Sequence, residues 1–132
     1  MGDYLKTATI LYVEDNEEVR LGYAKALKRY AKELYVANDG FEGLVKLGQH
    51  KPHVLITDLN MPGMDGFQML SSLAQNSDAT LERIFAITSL NELDIAKRGG
   101  LPNNVQVFFK PVDFIALLSA ITSVREQCAH IA

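Results

Sequence analysis

Two patterns of hydrophobic residues alternate along the chain. Five short apolar runs, rich in β-branched and aromatic residues, predict strands at Thr9–Val13, Leu34–Val36, His53–Thr57, Ile84–Thr88 and Val105–Phe109. The segments between and after these runs carry apolar residues at helical spacing. Five strand–helix units in alternation predict an α/β fold, in which a parallel sheet is covered by helices on both faces.

The apolar faces of the predicted helices differ in strength. The four stronger faces comprise Val19, Tyr23, Leu27 and Tyr30; Phe41, Leu44, Val45 and Leu47; Phe67, Leu70, Leu73 and Ala74; and Phe114, Leu117, Leu118, Ile121 and Val124. The helix predicted at Asn91–Arg98 is the weakest, because it has only Leu93, Ile95 and Ala96 to bury. The strand runs are almost wholly apolar, as expected of a parallel sheet, and the short second run is expected at an edge.

Size, charge and cysteine content narrow the class of protein. A chain of 132 residues with 48% hydrophobic residues predicts one domain over residues 1–132, with its core at about 9–124. A net charge of −3 indicates no surface for nucleic acid or an anionic membrane, and no apolar stretch reaches the roughly 18 residues of a membrane span. The first residues lack a signal-peptide pattern, and a single cysteine, Cys128, cannot form an internal disulfide; both favour a reducing, cytoplasmic location.

Polar residues lie at the carboxyl ends of four of the five predicted strands. They are Glu14 and Asp15 after the first run, Asp58 after the third, Thr88 and Ser89 at the end of the fourth, and Lys110 after the fifth. The carboxyl ends of parallel strands share one edge of the sheet, and in a doubly wound fold this edge forms the ligand crevice. We therefore expect the three carboxylates to converge if the first and third strands are neighbours.

Such a group of side chains is suited to one kind of chemistry. Three close carboxylates repel one another unless a positive charge lies among them. A hard divalent cation, Mg²⁺ or Mn²⁺, meets that requirement because it binds carboxylate and phosphate oxygens. Lys110 adds a fixed positive charge, and Thr88 adds a hydroxyl. Together they are the parts of a phosphoryl-transfer site, in which Asp58 is the nucleophile that forms an acyl phosphate.

Each of these residues also has an ordinary structural interpretation. Asp15 is suited to cap the helix that follows it, and Asp58 is suited to begin the turn at Pro62-Gly63. Thr88 is a common strand residue, and Lys110 is a common surface residue. The functional interpretation rests on the conjunction of complementary groups at the same ends of different strands.

The order and spacing of these groups resemble a known family, the receiver domains of two-component response regulators. The resemblance is carried by Leu11-Tyr12-Val13-Glu14-Asp15-Asn16, by Asp58-Leu59-Asn60-Met61-Pro62-Gly63-Met64-Asp65-Gly66, by Thr88-Ser89 and by Lys110-Pro111. It covers about Thr9 to Val124. It implies a flavodoxin-like fold, a doubly wound five-stranded parallel sheet in the order 2-1-3-4-5 flanked by five helices.

The resemblance also implies a role for each residue of the predicted site. Asp58 is the phosphoacceptor. Asp15 and Asp58 bind Mg²⁺ through their side chains, Asn60 binds it through its backbone carbonyl, and Glu14 binds it through metal-bound water. Thr88 and Lys110 contact the phosphoryl group. The donor is a phosphohistidine on a sensor histidine kinase or a phosphotransfer protein. A partner, or a second copy of the domain, reads the signal at the surface of the fourth helix, fifth strand and fifth helix. The Lys110–Pro111 bond is expected to be cis.

Three positions depart from the family pattern. Glu14 stands where Asp is usual, a change that is expected to preserve metal binding. Val107 stands three residues before the lysine, where an aromatic residue usually serves as the rotamer switch, and Phe108 and Phe109 are out of register for that role. Leu90 stands two residues after Thr88, where a polar residue can orient the hydrolytic water, and it therefore predicts slow self-dephosphorylation.

Two other functions fit parts of the pattern. A pseudo-receiver would use the fold only to bind proteins, although the complete acidic set and Lys110 disfavour it. A small aspartate-nucleophile phosphatase would need a second acid two residues after Asp58, where Asn60 stands. The domain is therefore expected to be a regulatory phosphoacceptor, which catalyses only its own phosphorylation and dephosphorylation, and not an enzyme with other substrates.

Overall fold

Strands and helices alternate as the sequence predicts. The computed structural model describes residues 6–75 and 81–131, with side chains described for residues 6–73 and 81–122. The strands are β1 (Thr9–Val13), β2 (Glu33–Ala37), β3 (Val54–Asp58), β4 (Arg83–Thr88) and β5 (Val105–Phe109). The helices are α1 (Glu17–Lys28), α2 (Gly40–His50), α3 (Gly66–Gln75), α4 (Glu92–Lys97) and α5 (Phe114–Ile131). Within this part of the chain, no helix combines the length and the apolar character needed to cross a membrane.

The five strands are parallel and form one sheet in the order β2-β1-β3-β4-β5, which confirms the predicted topology. β2 lies at one edge, as predicted, and β5 lies at the other. β1 and β3 are neighbours, paired from Ile10 with Val54 to Val13 with Thr57. The chain passes from β1 to β2 on one side and then crosses to β3 on the other. The carboxyl ends of β1 and β3 therefore flank the crevice in which open α/β sheets bind ligands.

The predicted strand bounds agree with the structure to within one residue. β1 and β5 have the predicted bounds, β2 extends one residue further at each end, and β4 begins one residue earlier. β3 is displaced by one residue, so that Asp58 is its last residue and pairs with Ile87 of β4. The backbone of Asp58 is therefore part of the sheet, and the side chain leaves from its last paired position.

The core has two layers, one on each face of the sheet, because alternate strand residues point to opposite sides. On one face, Ile10, Tyr12, Ile56, Phe85 and Ile87 form a cluster with Leu27 of α1 and with Leu117, Leu118 and Ile121 of α5. On the other face, Leu11, Val13, Leu55 and Ala86 form a cluster with Leu47 of α2 and with Met69 and Leu70 of α3. Burial of both faces explains why the strand runs are almost wholly apolar.

Helix α2 buries only part of the predicted face: Leu47 is buried and Leu44 packs against the core, as predicted. Phe41 and Val45 were expected in the core, but the Phe41 side chain is 65% exposed and Val45 is also exposed. The buried positions include Gly43 and Leu47. A Cβ atom on Gly43 would lie 2.8 Å from the Met69 sulfur, so the helix packs closely through a residue without a side chain. Apolar periodicity misses such a face because glycine does not signal burial.

Helix α4 is one residue shorter at each end than predicted, because Asn91 and Arg98 are its caps. The Asn91 side chain takes part in a capping box that fixes the first turn. Leu93 and Ala96, which were expected to be buried, are exposed, whereas Ile95 packs against the core. With no fully buried residue, α4 is weakly attached to the domain.

Candidate functional site

Three carboxylates meet at the carboxyl ends of the neighbouring strands β1 and β3. Glu14, Asp15 and Asp58 each place a carboxylate oxygen within 4.8 Å of the other two. We call these three residues the acidic cluster. Glu14 and Asp58 are almost fully buried, whereas Asp15 is exposed and leaves the cluster open to solvent. The predicted convergence of the three carboxylates is confirmed.

Lys110 brings a positive charge to the acidic cluster from the far edge of the sheet. Its Nζ lies 2.9 Å from Asp58 Oδ2 and 3.4 Å from Glu14 Oε1. The side chain reaches past β4 from a backbone that donates a hydrogen bond from the Lys110 N–H to the Thr88 carbonyl, at 2.7 Å. The Lys110–Pro111 peptide bond is cis, as the resemblance implies.

The charges of the cluster are only partly balanced. Burial raises the pKa of the Glu14 carboxyl to about 7; a hydrogen bond from the Asn16 N–H and the charge of Lys110 oppose this shift, and the charge of Asp58 adds to it. Partial burial lowers the pKa of Lys110, but the hydrogen bond and negative charge of Asp58, with the charge of Glu14, raise it overall. Carboxylate oxygens with uncompensated negative charge are the ligands that a hard divalent cation requires, so the acidic cluster fits Mg²⁺ or Mn²⁺.

The turn after β3 fixes the direction of the Asp58 carboxylate. Its Oδ1 accepts a hydrogen bond from the Asn60 N–H at 3.1 Å, while its Oδ2 contacts Lys110. The Thr57 hydroxyl, buried beneath the site, donates to the Asp58 carbonyl at 2.8 Å. Asp58 therefore does begin the turn, as its ordinary interpretation predicts, but the same carboxylate also belongs to the acidic cluster.

Gly66 closes this turn against the backbone of Asp58. Its N–H donates to the Leu59 carbonyl at 3.1 Å. A Cβ atom at position 66 would lie 2.4 Å from the Asp58 carbonyl oxygen and 2.7 Å from the Leu59 Cα, closer than real Cβ atoms approach. The sequence pattern Asp65-Gly66 indicated only a turn, whereas the structure requires glycine for close packing beneath Asp58.

In the turn after β1, one residue caps the following helix and its neighbour belongs to the acidic cluster. Asn16, not Asp15, is the N-cap of α1, and its side chain accepts a hydrogen bond from the Val19 N–H at 3.0 Å. The capping interpretation of Asp15 is therefore wrong, because the helix begins one residue later than that role requires. Arg20 of α1 donates from Nη1 to the Glu14 carbonyl at 2.9 Å, a contact that the sequence pattern did not predict.

Thr88 lies buried at the end of β4, the strand between β3 and β5. Its hydroxyl oxygen accepts a hydrogen bond from the Leu90 N–H at 3.0 Å. The hydroxyl is thus held toward the turn that leads into α4. Thr88 therefore has two contacts: its carbonyl accepts from the Lys110 N–H, and its hydroxyl accepts from the turn that leads into α4.

Comparison with known proteins decides the family. Residues 10–122 match the family model described as the response regulator receiver domain. The chain belongs to this family. Protein PilG of Pseudomonas aeruginosa is 26% identical over 112 residues, which are 85% of this chain and 83% of PilG. Sensor protein EvgS of Escherichia coli is 32% identical over 126 residues, 94% of this chain but 10% of EvgS. A response regulator signal receiver domain from Bermanella marisrubri is 30% identical, with a TM-score of 0.72 over 89% of this chain and 97% of that one.

In this receiver domain, the last three residues of β5 lie in different surroundings. Val107 is partly buried against the core layer that contains Ala86. Phe108 points to the opposite face, where its ring centroid lies 6.0 Å from that of Phe85. Phe109 is exposed and pairs in register with Thr88. Val107 therefore offers no ring to turn between an exposed and a buried position.

Proposed function

We propose that this receiver domain accepts a phosphoryl group on Asp58 from a phosphohistidine of a sensor histidine kinase or a phosphotransfer protein. The observation that carries the proposal is the environment of the Asp58 carboxylate. One oxygen accepts from the Asn60 N–H, the other contacts Lys110, and the carboxylates of Glu14 and Asp15 lie beside them. An aspartate in such surroundings is a nucleophile whose product charge is stabilised in advance.

The transfer is a substitution at phosphorus. A carboxylate oxygen of Asp58 forms the new P–O bond, the P–N bond of the phosphohistidine breaks, and the imidazole leaves with the electron pair and takes up a proton. Asp15 and Asp58 would hold Mg²⁺ or Mn²⁺ through their side chains, Asn60 through its backbone carbonyl, and Glu14 through a water molecule. When bound, the cation neutralises charge on the transferring phosphoryl oxygens.

Lys110 and Thr88 would respond to the new group. Lys110 already contacts Asp58. After phosphorylation, its ammonium would contact an oxygen of the phosphoryl group on that carboxylate. The Thr88 hydroxyl would turn from the Leu90 N–H to donate to another phosphoryl oxygen. This rotation removes a hydrogen bond from the turn before α4 and so weakens the attachment of that helix.

The output would be a shift in the surface formed by α4, β5 and α5. Helix α4 has six residues, none of them fully buried, so a small change in free energy can move it. The altered surface would then bind a partner, or a second copy of the domain, with a different affinity. With Val107 in place of the usual aromatic residue, the displacement of α4 itself would carry the signal.

Mass spectrometry after incubation with acetyl phosphate and Mg²⁺ tests this proposal. The wild-type protein should gain the mass of one phosphoryl group, Asp58→Asn should not, and Asp65→Asn should gain it as the wild type does. Asp65 is the matched control, because it lies in the same turn but its carboxylate contacts Arg98. An adduct that persists on Asp58→Asn would refute the assigned acceptor.

Two other outcomes would favour the rival functions. Mg²⁺ binding by the wild-type protein, with no adduct from any phosphodonor, would indicate a pseudo-receiver that acts only through protein binding. Repeated turnover of small phosphomonoesters would indicate a phosphatase. We expect neither, because Asn60 supplies no second acid and Lys110 contacts the acceptor directly.

A further inference from the structure

The backbone between β1 and α1 is held by a contact that the proposed function leaves unexplained. Nη1 of Arg20, in the first half of α1, donates to the carbonyl oxygen of Glu14 at 2.9 Å in a partly buried position. The Glu14 N–H donates in the other direction, to the Ala37 carbonyl of β2 at 3.1 Å. The main chain of Glu14 is therefore fixed on both sides, once by the sheet and once by a guanidinium.

The peptide group that Arg20 contacts joins the first two carboxylates of the acidic cluster. The Glu14 side chain is held separately, since its two oxygens contact the Asn16 N–H and the Lys110 ammonium. The Asp15 side chain is exposed, so its direction depends on the backbone that carries it. A change in the plane of the Glu14–Asp15 peptide would turn the Asp15 carboxylate away from Asp58.

We propose that Arg20 is a positioning residue, which fixes the Glu14–Asp15 peptide and so directs the Asp15 carboxylate into the cation site. This inference rests on the proposed function, because it concerns the affinity of the acidic cluster for its divalent cation. Arg20 would not touch the cation or the phosphoryl group. It would act through the backbone that presents a ligand.

The charge of Arg20 provides a way to separate positioning from electrostatics. The positive charge of Arg20, near the acidic cluster, opposes the binding of Mg²⁺ there. If only this charge mattered, its removal would strengthen Mg²⁺ binding. If the hydrogen bond positions Asp15, its removal weakens Mg²⁺ binding, and a lysine that restores the charge without the planar donor group does not restore the affinity. The two roles therefore predict changes of opposite sign.

Isothermal titration of the full chain with Mg²⁺ tests the proposal. We expect Arg20→Gln and Arg20→Lys each to raise the Kd for Mg²⁺ by about three- to ten-fold, which is the effect of losing one typical protein hydrogen bond. Lys25→Gln, which removes the same charge from an exposed position of the same helix, should leave the Kd within about two-fold of wild type. Urea unfolding of each variant in chelator identifies any that fails to fold, and Arg20→Lys remains the milder test.

Several outcomes would overturn the proposal. The first is a Kd for Mg²⁺ in Arg20→Gln equal to or lower than that of wild type. The second is a Kd raised equally in Lys25→Gln, and the third is a wild-type Kd in Arg20→Lys.

At saturating Mg²⁺, the adduct from acetyl phosphate should form on Arg20→Gln at nearly the wild-type rate, because only cation affinity is impaired. The Kd is measured without any phosphodonor. A wild-type protein that binds Mg²⁺ but forms no adduct would therefore contradict the proposed function and still test Arg20.

Discussion

The Lys110 ammonium lies 2.9 Å from the Asp58 carboxylate, although the two residues are 52 positions apart in the chain. The same ammonium lies 3.4 Å from Glu14, so one side chain balances two of the three carboxylates in the acidic cluster. A divalent cation would bind to these same carboxylates. Lys110 and the cation would therefore compete for the same negative charge, even though the proposed transfer uses both.

Replacement of Lys110 should separate cation binding from phosphorylation. In Lys110→Ala we expect a lower Kd for Mg²⁺, because a competing positive charge is removed, and a phosphorylation rate reduced by about 10²-fold, because a donor to the phosphoryl oxygens is lost. Lys51→Ala, which removes an exposed lysine outside the cluster, should change neither. Titration with Mg²⁺ and adduct formation from acetyl phosphate measure the two effects. A weaker Mg²⁺ affinity in Lys110→Ala would contradict the assigned role.

The raised pKa of Glu14 predicts a pH-dependent stability in the metal-free protein. The pKa is about 7 in the folded protein, against an ordinary value of 4.5. The folded state therefore favours the protonated form. Glu14 imposes no penalty below its ordinary pKa, becomes increasingly destabilising as the pH rises from about 4.5 to about 7, and adds no further loss above that range. The loss from this group is at most about 3 kcal/mol.

Urea unfolding in chelator at a series of pH values would measure this loss. The difference in the free energy of unfolding between wild type and Glu14→Gln should change between about pH 4.5 and pH 7. The variant should be favoured at the higher pH. Added Mg²⁺ should reduce the difference, because a bound cation stabilises the ionised carboxylate. Parallel pH profiles for the two proteins in chelator would show that Glu14 is not the group responsible.

Gly66→Ala should lower both the stability of the protein and its rate of phosphorylation. The added Cβ would meet the Asp58 carbonyl at 2.4 Å, so the backbone beneath Asp58 must move. We expect a loss of about 1 to 3 kcal/mol in the free energy of unfolding, together with slower phosphorylation. Gly48→Ala is the control, because a Cβ there meets no atom within 4 Å and the residue lies in α2. It should stabilise the protein by about 0.5 to 1 kcal/mol.

Arg98, at the end of α4, forms an ion pair with the turn that follows Asp58. Its Nη2 lies 2.7 Å from Asp65 Oδ2, and its guanidinium carbon lies 4.5 Å from the centre of the Phe67 ring. A double-mutant cycle with Arg98→Ala and Asp65→Asn compares the free energies of unfolding in urea. It should give a coupling energy of about 0.3 to 1 kcal/mol, the value for an exposed pair. Asparagine retains an oxygen for the hydrogen bond from the Gln68 N–H, so the cycle isolates the ion pair. Strictly additive effects would show that the pair contributes nothing to stability.

Leu90 should prolong the phosphorylated state. Its N–H holds the Thr88 hydroxyl, while its side chain packs against the core layer on the α2 and α3 face. An apolar side chain cannot orient a hydrolytic water, so Leu90→Glu should shorten the lifetime of the acyl phosphate by roughly ten-fold, less than a full general base contributes. Leu90→Met should leave the lifetime unchanged, because it is also apolar. An unchanged lifetime in Leu90→Glu, with Mg²⁺ present, would refute this role.

Much of the site was predictable, because its residues are placed by local patterns. Apolar runs identify the strands, and the polar residue at the end of each run then falls at one edge of a parallel sheet. This was sufficient to predict the convergence of Glu14, Asp15 and Asp58, and to expect a compensating charge from Lys110. The same local reasoning assigned the helix cap to Asp15, since Asp15 and Asn16 are both good capping residues and only the backbone selects between them.

By itself, the sequence determined the alternation of strands and helices, the edge position of β2 and the chemical types of the site residues. These follow from periodicity and turn chemistry, which act over a few neighbouring residues. Only the tertiary structure decided that α2 packs through Gly43, that Gly66 packs under Asp58, and that Arg20 and Arg98 hold the backbone and turn of the site. Those contacts depend on which surfaces meet across the fold, and a glycine without a side chain or an arginine on a helix carries no local signal of the partner it will meet.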